Sequence, residues 1–126
     1  MAFQTKTVNI TLTSGDVVTV MSENIKTITG VNGAAVLGIY VNGMGLKYIT
    51  SSDDITGGSG ILALAENFIT VPTATGSVYV NAFSISLVVP EGSGSYVQWD
   101  DFMGDSLVST LSTSTVAQIK TLIDAL

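Results

Sequence analysis

The stretch Ala34-Ala35-Val36-Leu37-Gly38-Ile39-Tyr40-Val41-Asn42-Gly43-Met44-Gly45-Leu46-Lys47-Tyr48-Ile49-Thr50 reads as a β-hairpin. Two strand-like runs flank Asn42-Gly43-Met44-Gly45, and an Asn-Gly pair supplies the positive φ angles that a tight turn demands. The same grammar continues on both sides. Upstream, Val8, Ile10 and Leu12 alternate with Asn9 and Thr11, the period of a half-buried strand. Ser14-Gly15-Asp16 turns that strand, residues 17–20 return as its partner, and Ile25 and Ile28 belong to a shorter element. Downstream, residues 68–71 form a strand, 72–76 a turn, Val78 and Val80 a strand, and 85–89 another. Gly92-Ser93-Gly94-Ser95 then leads into residues 96–99, a turn through Gly104, and a strand over 107–111.

The second half therefore repeats the order of the first. A shift of 60 residues pairs Thr13 with Thr73, Val18 with Val78, Val20 with Val80 and Ile25 with Ile85. One residue more pairs Gly33 with Gly94, Val36 with Val97, Gly43 with Gly104, Leu46 with Leu107 and Ser51 with Ser112. Turn glycines and strand residues are the two classes a duplicated meander must keep. The expected organisation is a single domain over 1–126, duplicated at about 5–55 and 65–116, with a glycine-rich joint at 56–60. The end departs from the repeat. Val116, Ile119, Leu122, Ile123 and Leu126 share one helical face behind Ser114 or Thr115 as N-cap, which predicts a helix over 115–126. Such a short helix is marginal alone and should dock on the sheet or on a neighbouring subunit. The expected fold class is mainly β: two similar antiparallel β-meander units forming a small sandwich or barrel, with one C-terminal α-helix.

Composition narrows the chemistry. The 126 residues include no histidine and no cysteine, and the four basic residues are all lysines: Lys6, Lys26, Lys47 and Lys120. The commonest general base, the thiol nucleophile and the bidentate anion clamp are absent together. A hydrophobic content of 46% excludes a disordered chain, and the longest apolar run, residues 34–41, is far too short to span a bilayer as a helix. A net charge of −6 without arginine argues against nucleic acid and against anionic membrane surfaces as partners. Only 11% of residues are charged, against about 25% in an ordinary soluble domain. Such a surface is either coated by Ser, Thr, Asn and Gly or covered by other subunits. The N-terminus carries no apolar h-region, so synthesis in a cytoplasm without a signal peptide is expected.

The remaining candidate sites are few. Asp100, Asp101 and Asp105 cluster on a predicted hairpin tip and offer oxygen ligands to a hard cation, although their spacing does not match the twelve-residue Ca²⁺ loop. Acidic residues at β turns more often serve solubility, and no metal is assigned. A glycosidase pair needs carboxylates facing across a cleft, and nothing in the sequence sets Asp53, Asp54 or Glu91 opposite that tip. No serine and lysine stand in a catalytic spacing, so no catalytic residue and no cofactor is expected. Gly92-Ser93-Gly94-Ser95 is followed by a strand, not by the helix N-terminus a phosphate loop uses. Tyr96, Trp99 and Phe102 form a candidate interface or ligand surface, with core packing the commoner fate of strand aromatics.

From Val78-Tyr79-Val80-Asn81, through Ile85 and a Gly-Ser-Gly turn, to Val97-Gln98-Trp99-Asp100-Asp101, Leu107-Val108-Ser109 and Val116, the pattern resembles small virion structural proteins of tailed bacteriophages. Residues 17–55 resemble the same unit more faintly, with Met21 standing where Asn81 does. The resemblance implies a non-enzymatic capsid decoration (cement) or head-associated protein, located in the virion. Its partners would be copies of itself and a major capsid or other virion protein. The competing reading is a receptor- or carbohydrate-binding module of a phage fibre or tail, using Tyr96, Trp99 and the loop at 100–105.

Overall fold

The protein is seen in a computed structural model that describes residues 7–41, 43–65, 67–100 and 107–126. Among these, ten strands run in the order β1 (Thr7–Thr11), β2 (Val17–Met21), β3 (Ile25–Val31), β4 (Ala34–Val41), β5 (Gly45–Ser51), β6 (Phe68–Thr73), β7 (Gly76–Asn81), β8 (Ile85–Glu91), β9 (Gly94–Asp100) and β10 (Leu107–Ser112). Two helices punctuate them, α1 (Ile61–Leu64) and α2 (Val116–Asp124). The fold is mainly β, as expected. All pairings are antiparallel, in sheets of two strands (β1-β2), three (β10-β9-β8) and five (β5-β4-β3-β7-β6). They do not close into a barrel, so of the two expected architectures the small sandwich is the one that agrees.

Local sequence explains the elements. Val8 and Ile10 of β1 are buried while Thr7 and Asn9 are exposed, the alternation of a strand with one face on a core. The 34–50 hairpin forms as β4 and β5, paired from Val41↔Gly45 to Ala35↔Ser51, with Gly43 at φ 82° and Gly45 at φ 78°. Side chains gather into two clusters. The first joins Ile10, Ile25, Ile28, Leu37, Ile55 and Ile61; the second joins Ile69, Val71, Val80, Val97, Trp99 and Ile119.

The element order of the first half recurs in the second, down to irregularities. Each half has a 3-10 turn before its third strand, Ser22–Asn24 and Ala82–Ser84. Each has the same register shift, between Ile25 and Thr27 and between Ile85 and Leu87. Strand pairing fixes the correspondence. β1 maps onto β6 at an offset of 61, since Thr7↔Met21 corresponds to Phe68↔Asn81. β2, β3 and β4 map at 60, since Val31↔Ala34 corresponds to Glu91↔Gly94. β5 maps onto β10 at 61 again, since Ala35↔Ser51 corresponds to Ser95↔Ser112. The extra residue of the second half thus falls between Asp100 and Leu107. Three sequence pairings are corrected by this register. Gly94 corresponds to Ala34 rather than Gly33, Val97 to Leu37 rather than Val36, and Thr73 to Leu12 rather than Thr13. The middle correction has a physical signature: Leu37 and Val97 are both fully buried, whereas Val36, pointing to the other face, is only half-buried.

A buried serine fastens each half. Ser51 Oγ donates to the Thr11 carbonyl at 2.9 Å and Ser112 Oγ to the Pro72 carbonyl at 2.7 Å. The same hydroxyls accept from the Asp53 and Ser114 N–H groups at 2.9 and 3.0 Å. One difference between the halves is compensated. Thr11 N–H donates to Asp53 Oδ2 at 2.8 Å, and in the second half Pro72 has no N–H while Ser114 has no carboxylate.

Residues 56–60 form a turn, with Gly60 N–H donating to the Gly57 carbonyl at 3.2 Å. A Cβ on Gly60 would stand 2.5 Å from the Thr56 carbonyl oxygen, so only glycine lets the chain turn there into α1. Ile61 follows at 1% exposure and anchors α1 in the first core. At the C-terminus, Thr115 caps α2 through a reciprocal pair with Gln118, Thr115 Oγ1 accepting from Gln118 N–H at 3.2 Å and Gln118 Oε1 accepting from Thr115 N–H at 2.8 Å. The helix docks within the chain, across β6 and β8. Its apolar stripe is only partly covered: Ile119 is buried, Val116 and Ile123 are half-buried, and Leu122 and Leu126 stay exposed. Among the described residues no helix is long and apolar enough to cross a membrane.

Candidate functional site at the sheet edges

The halves meet along one strand pair. β3 of the first half pairs antiparallel with β7 of the second, Thr27 opposite Val80 and Ile28 opposite Tyr79. This contact makes the five-stranded sheet, in which the first four residues of β3 are buried. Ile25, Lys26, Thr27 and Ile28 are each at most 6% exposed. Asn81 clamps the joint from within. Its Nδ2 donates to the Ile25 carbonyl at 3.1 Å, and its Oδ1 accepts from Phe83 N–H at 3.0 Å, so a buried amide is satisfied at both ends. Burial of the Lys26 ammonium pushes its pKa below the ordinary value of 10.5, and the Glu23 carboxylate opposes this in part. Lys26 Nζ donates to the Glu23 carbonyl at 2.7 Å.

Among the described residues, the counterpart of each partner strand has one edge that no strand pairs with. There β8, which corresponds to β3, pairs with β9 alone, and β2, which corresponds to β7, pairs with β1 alone. These open edges carry apolar side chains. Leu87 is 47% exposed where its counterpart Thr27 is 5%, and Met21 is 38% exposed where Asn81 is 3%. Phe83 and Val17, in the turn before β8 and at the start of β2, are also exposed. Edge strands usually carry lysine or proline against adventitious pairing. β2 has neither, and Pro90 lies beyond the positions of β8 that correspond to the joint.

The sequence-derived candidates fare differently. Asp101, Phe102 and Asp105 lie outside the described residues, and Asp100 is the last residue of β9. Among the described residues no three of Asp, Glu, His and Cys gather as a metal-holding group. Trp99 is corrected as a ligand surface: it is 3% exposed, within the second core, opposite Ile85. Tyr96 is half-buried and pairs with Val89 and Leu111. The signal was present in the spacing. Residues three apart on a strand point to opposite faces, so Tyr96 and Trp99 never make one platform. Two buried polar atoms of the second half, Ser84 Oγ and Trp99 Nε1, have no hydrogen-bond partner among the described residues. Two concavities, both open to solvent, lie among the described residues. One of about 330 Å³ is lined by Ala74, Glu91, Ser93, Leu111 and Thr113 and contains a single carboxylate. The other, about 470 Å³, lies where Thr29 and Val31 face Thr73, Thr75 and Val78 and holds no ionisable group.

The open edges were missed by sequence reasoning, although one signal existed: Met21 occupies the position of Asn81. No family model, no curated protein and no solved structure matches the chain.

Proposed function

We propose that the protein is a non-enzymatic structural subunit of a bacteriophage particle, a capsid decoration or other head-associated protein that stabilises the shell through self-association and contacts with shell subunits. The observation that carries this reading is the pair of open apolar edges, β2 and β8, each the counterpart of a strand that the chain already buries against itself. Low charge supports it, because interface cores are depleted in Lys, Glu and Asp. The phage context rests on the resemblance of residues 78–116. Burial of Trp99 removes the stacking face on which a carbohydrate-binding reading depended. Two measurements test the proposal. Light scattering across a concentration series should show oligomers, and a monomer at every concentration overturns self-association. Mass spectrometry of purified particles of the phage encoding the chain should find it in many copies, and its absence overturns the virion role.

A further inference from the structure

We infer that copies of this chain join head to tail, the open edge of β8 on one copy adding to the open edge of β2 on the next in the antiparallel register that β3 and β7 use inside each chain. This rests on the self-association proposed above and names its surface. The internal joint is heterologous: it uses the third strand of one repeat and the second strand of the next. Among the described residues, two repeats joined in this way leave one third strand, β8, unpaired on one edge at one end and one second strand, β2, at the other. A chain with one edge of each kind can meet another copy through the same contact that it makes internally.

The register follows from the 60-residue correspondence. Thr27↔Val80 becomes Leu87 opposite Val20 of the next copy, and Ile28↔Tyr79 becomes Val88 opposite Thr19. The side chains suit this. Leu87, Val88 and Val20 are apolar, none is charged, and their exposure or half-exposure is what pairing removes at the internal joint. The extent is also preserved: the internal ladder ends at Ile28, short of Gly30 at φ 91°, and Pro90, the counterpart of Gly30 in β8, has no N–H to extend a ladder. One element is not. Met21 stands in place of Asn81, so the contact between chains lacks the amide clamp and is reversible where the internal one is permanent. A two-fold dimer would set β8 against β8 or β2 against β2 and would leave the other edge open. The heterologous contact instead propagates into a closed ring or a helical array.

The cysteine-free sequence provides the test. Directly opposite residues on antiparallel strands have Cα atoms roughly 4.5–5.5 Å apart, within disulfide range. Under mild oxidation the double variant Val20→Cys/Leu87→Cys should give a covalent ladder or one closed species on a non-reducing gel. Each single variant should stay uncrosslinked, and so should Val17→Cys/Leu87→Cys, which is out of register. Leu87→Lys, at an exposed site that folding tolerates, should weaken association of the otherwise native chain by about tenfold or more. If the chain oligomerises but the Val20/Leu87 pair does not cross-link, or Leu87→Cys alone dimerises as readily, the head-to-tail surface is wrong while self-association survives. If the native chain is monomeric throughout, both fall.

Discussion

Strands β3 and β8 occupy the same place in the two halves, and composition predicts the wrong one to be buried. β3 carries Lys26 and Thr27, whereas β8 carries Ser86 and Leu87 at those positions, yet Lys26 and Thr27 are buried and Leu87 is 47% exposed. What separates them is the neighbour. β7 covers one edge of β3, whereas among the described residues β9 is the only strand beside β8. Alternation decides which face of a strand meets a core, but edge pairing uses backbone N–H and C=O groups that nearly every residue has. A strand's hydrophobicity therefore does not say whether its edge is taken. Here the more apolar copy is the uncovered one, which is the arrangement expected if something else covers it.

The sharpest test of this comparison is a carboxylate at the corresponding positions Val80 and Val20. Val80 lies on the covered strand at 0% exposure, and Val20 lies on the open strand, half-buried. Val80→Asp should cost about 3–5 kcal/mol, because an unpaired carboxylate enters a closed core. Val20→Asp in the dissociated chain should cost only about 1–2 kcal/mol, since water still reaches that edge. Denaturant midpoints of the two variants at low protein concentration measure the gap. Equal losses would mean that β2 is as enclosed as β7 and that the two edges do not differ.

Much of the first-order fold was legible. The Asn42-Gly43 hairpin, the alternation of β1 and the capped C-terminal helix are local signals, and each is written in adjacent residues. The repeat was legible in outline but not in register. Matching Gly33 to Gly94 by identity put Val36 against Val97, and only cross-strand pairing shows that Leu37 is the true counterpart. One residue of slip exchanges the two faces of a strand. The candidate site was the least legible part. Open edges exist only relative to a sheet order, and sheet order is set by contacts such as Thr27↔Val80 between residues more than fifty positions apart.

The ends of the two halves extend the comparison at a smaller scale. Each core is closed by one isoleucine from a helix, Ile61 of α1 and Ile119 of α2, both at or below 1% exposure. Ile119→Ala should destabilise by about 2–4 kcal/mol through the cavity left beneath α2. Leu122→Ala, one turn on and 37% exposed, should change stability by less than about 0.5 kcal/mol in the dissociated chain. Calorimetry of both variants checks this. A large loss at Leu122 would show that the outer stripe of α2 is covered in solution and would extend the association surface beyond β2 and β8.

The smallest effect concerns Lys26, which stands in β3 where β8 has Ser86. The folded chain lowers the pKa of Lys26 by desolvation, from an ordinary value of 10.5. Well below the folded pKa both states hold the proton, and the folded state bears the full cost of a desolvated ammonium. Between the folded pKa and 10.5 the unfolded chain keeps a proton that the folded chain has shed, so stability rises with pH across that window. Above it both forms are neutral and the rise ends. Unfolding midpoints of the native chain and of Lys26→Met, followed upward in pH toward 10.5, should therefore converge or cross in favour of the native chain. The same lysine placed on the open strand, Ser86→Lys, should show no such rise in the dissociated chain, because Ser86 is exposed and its ammonium would stay hydrated. Parallel curves for the native chain and Lys26→Met would mean that water reaches Lys26, and that the joint between β3 and β7 is looser than its burial indicates.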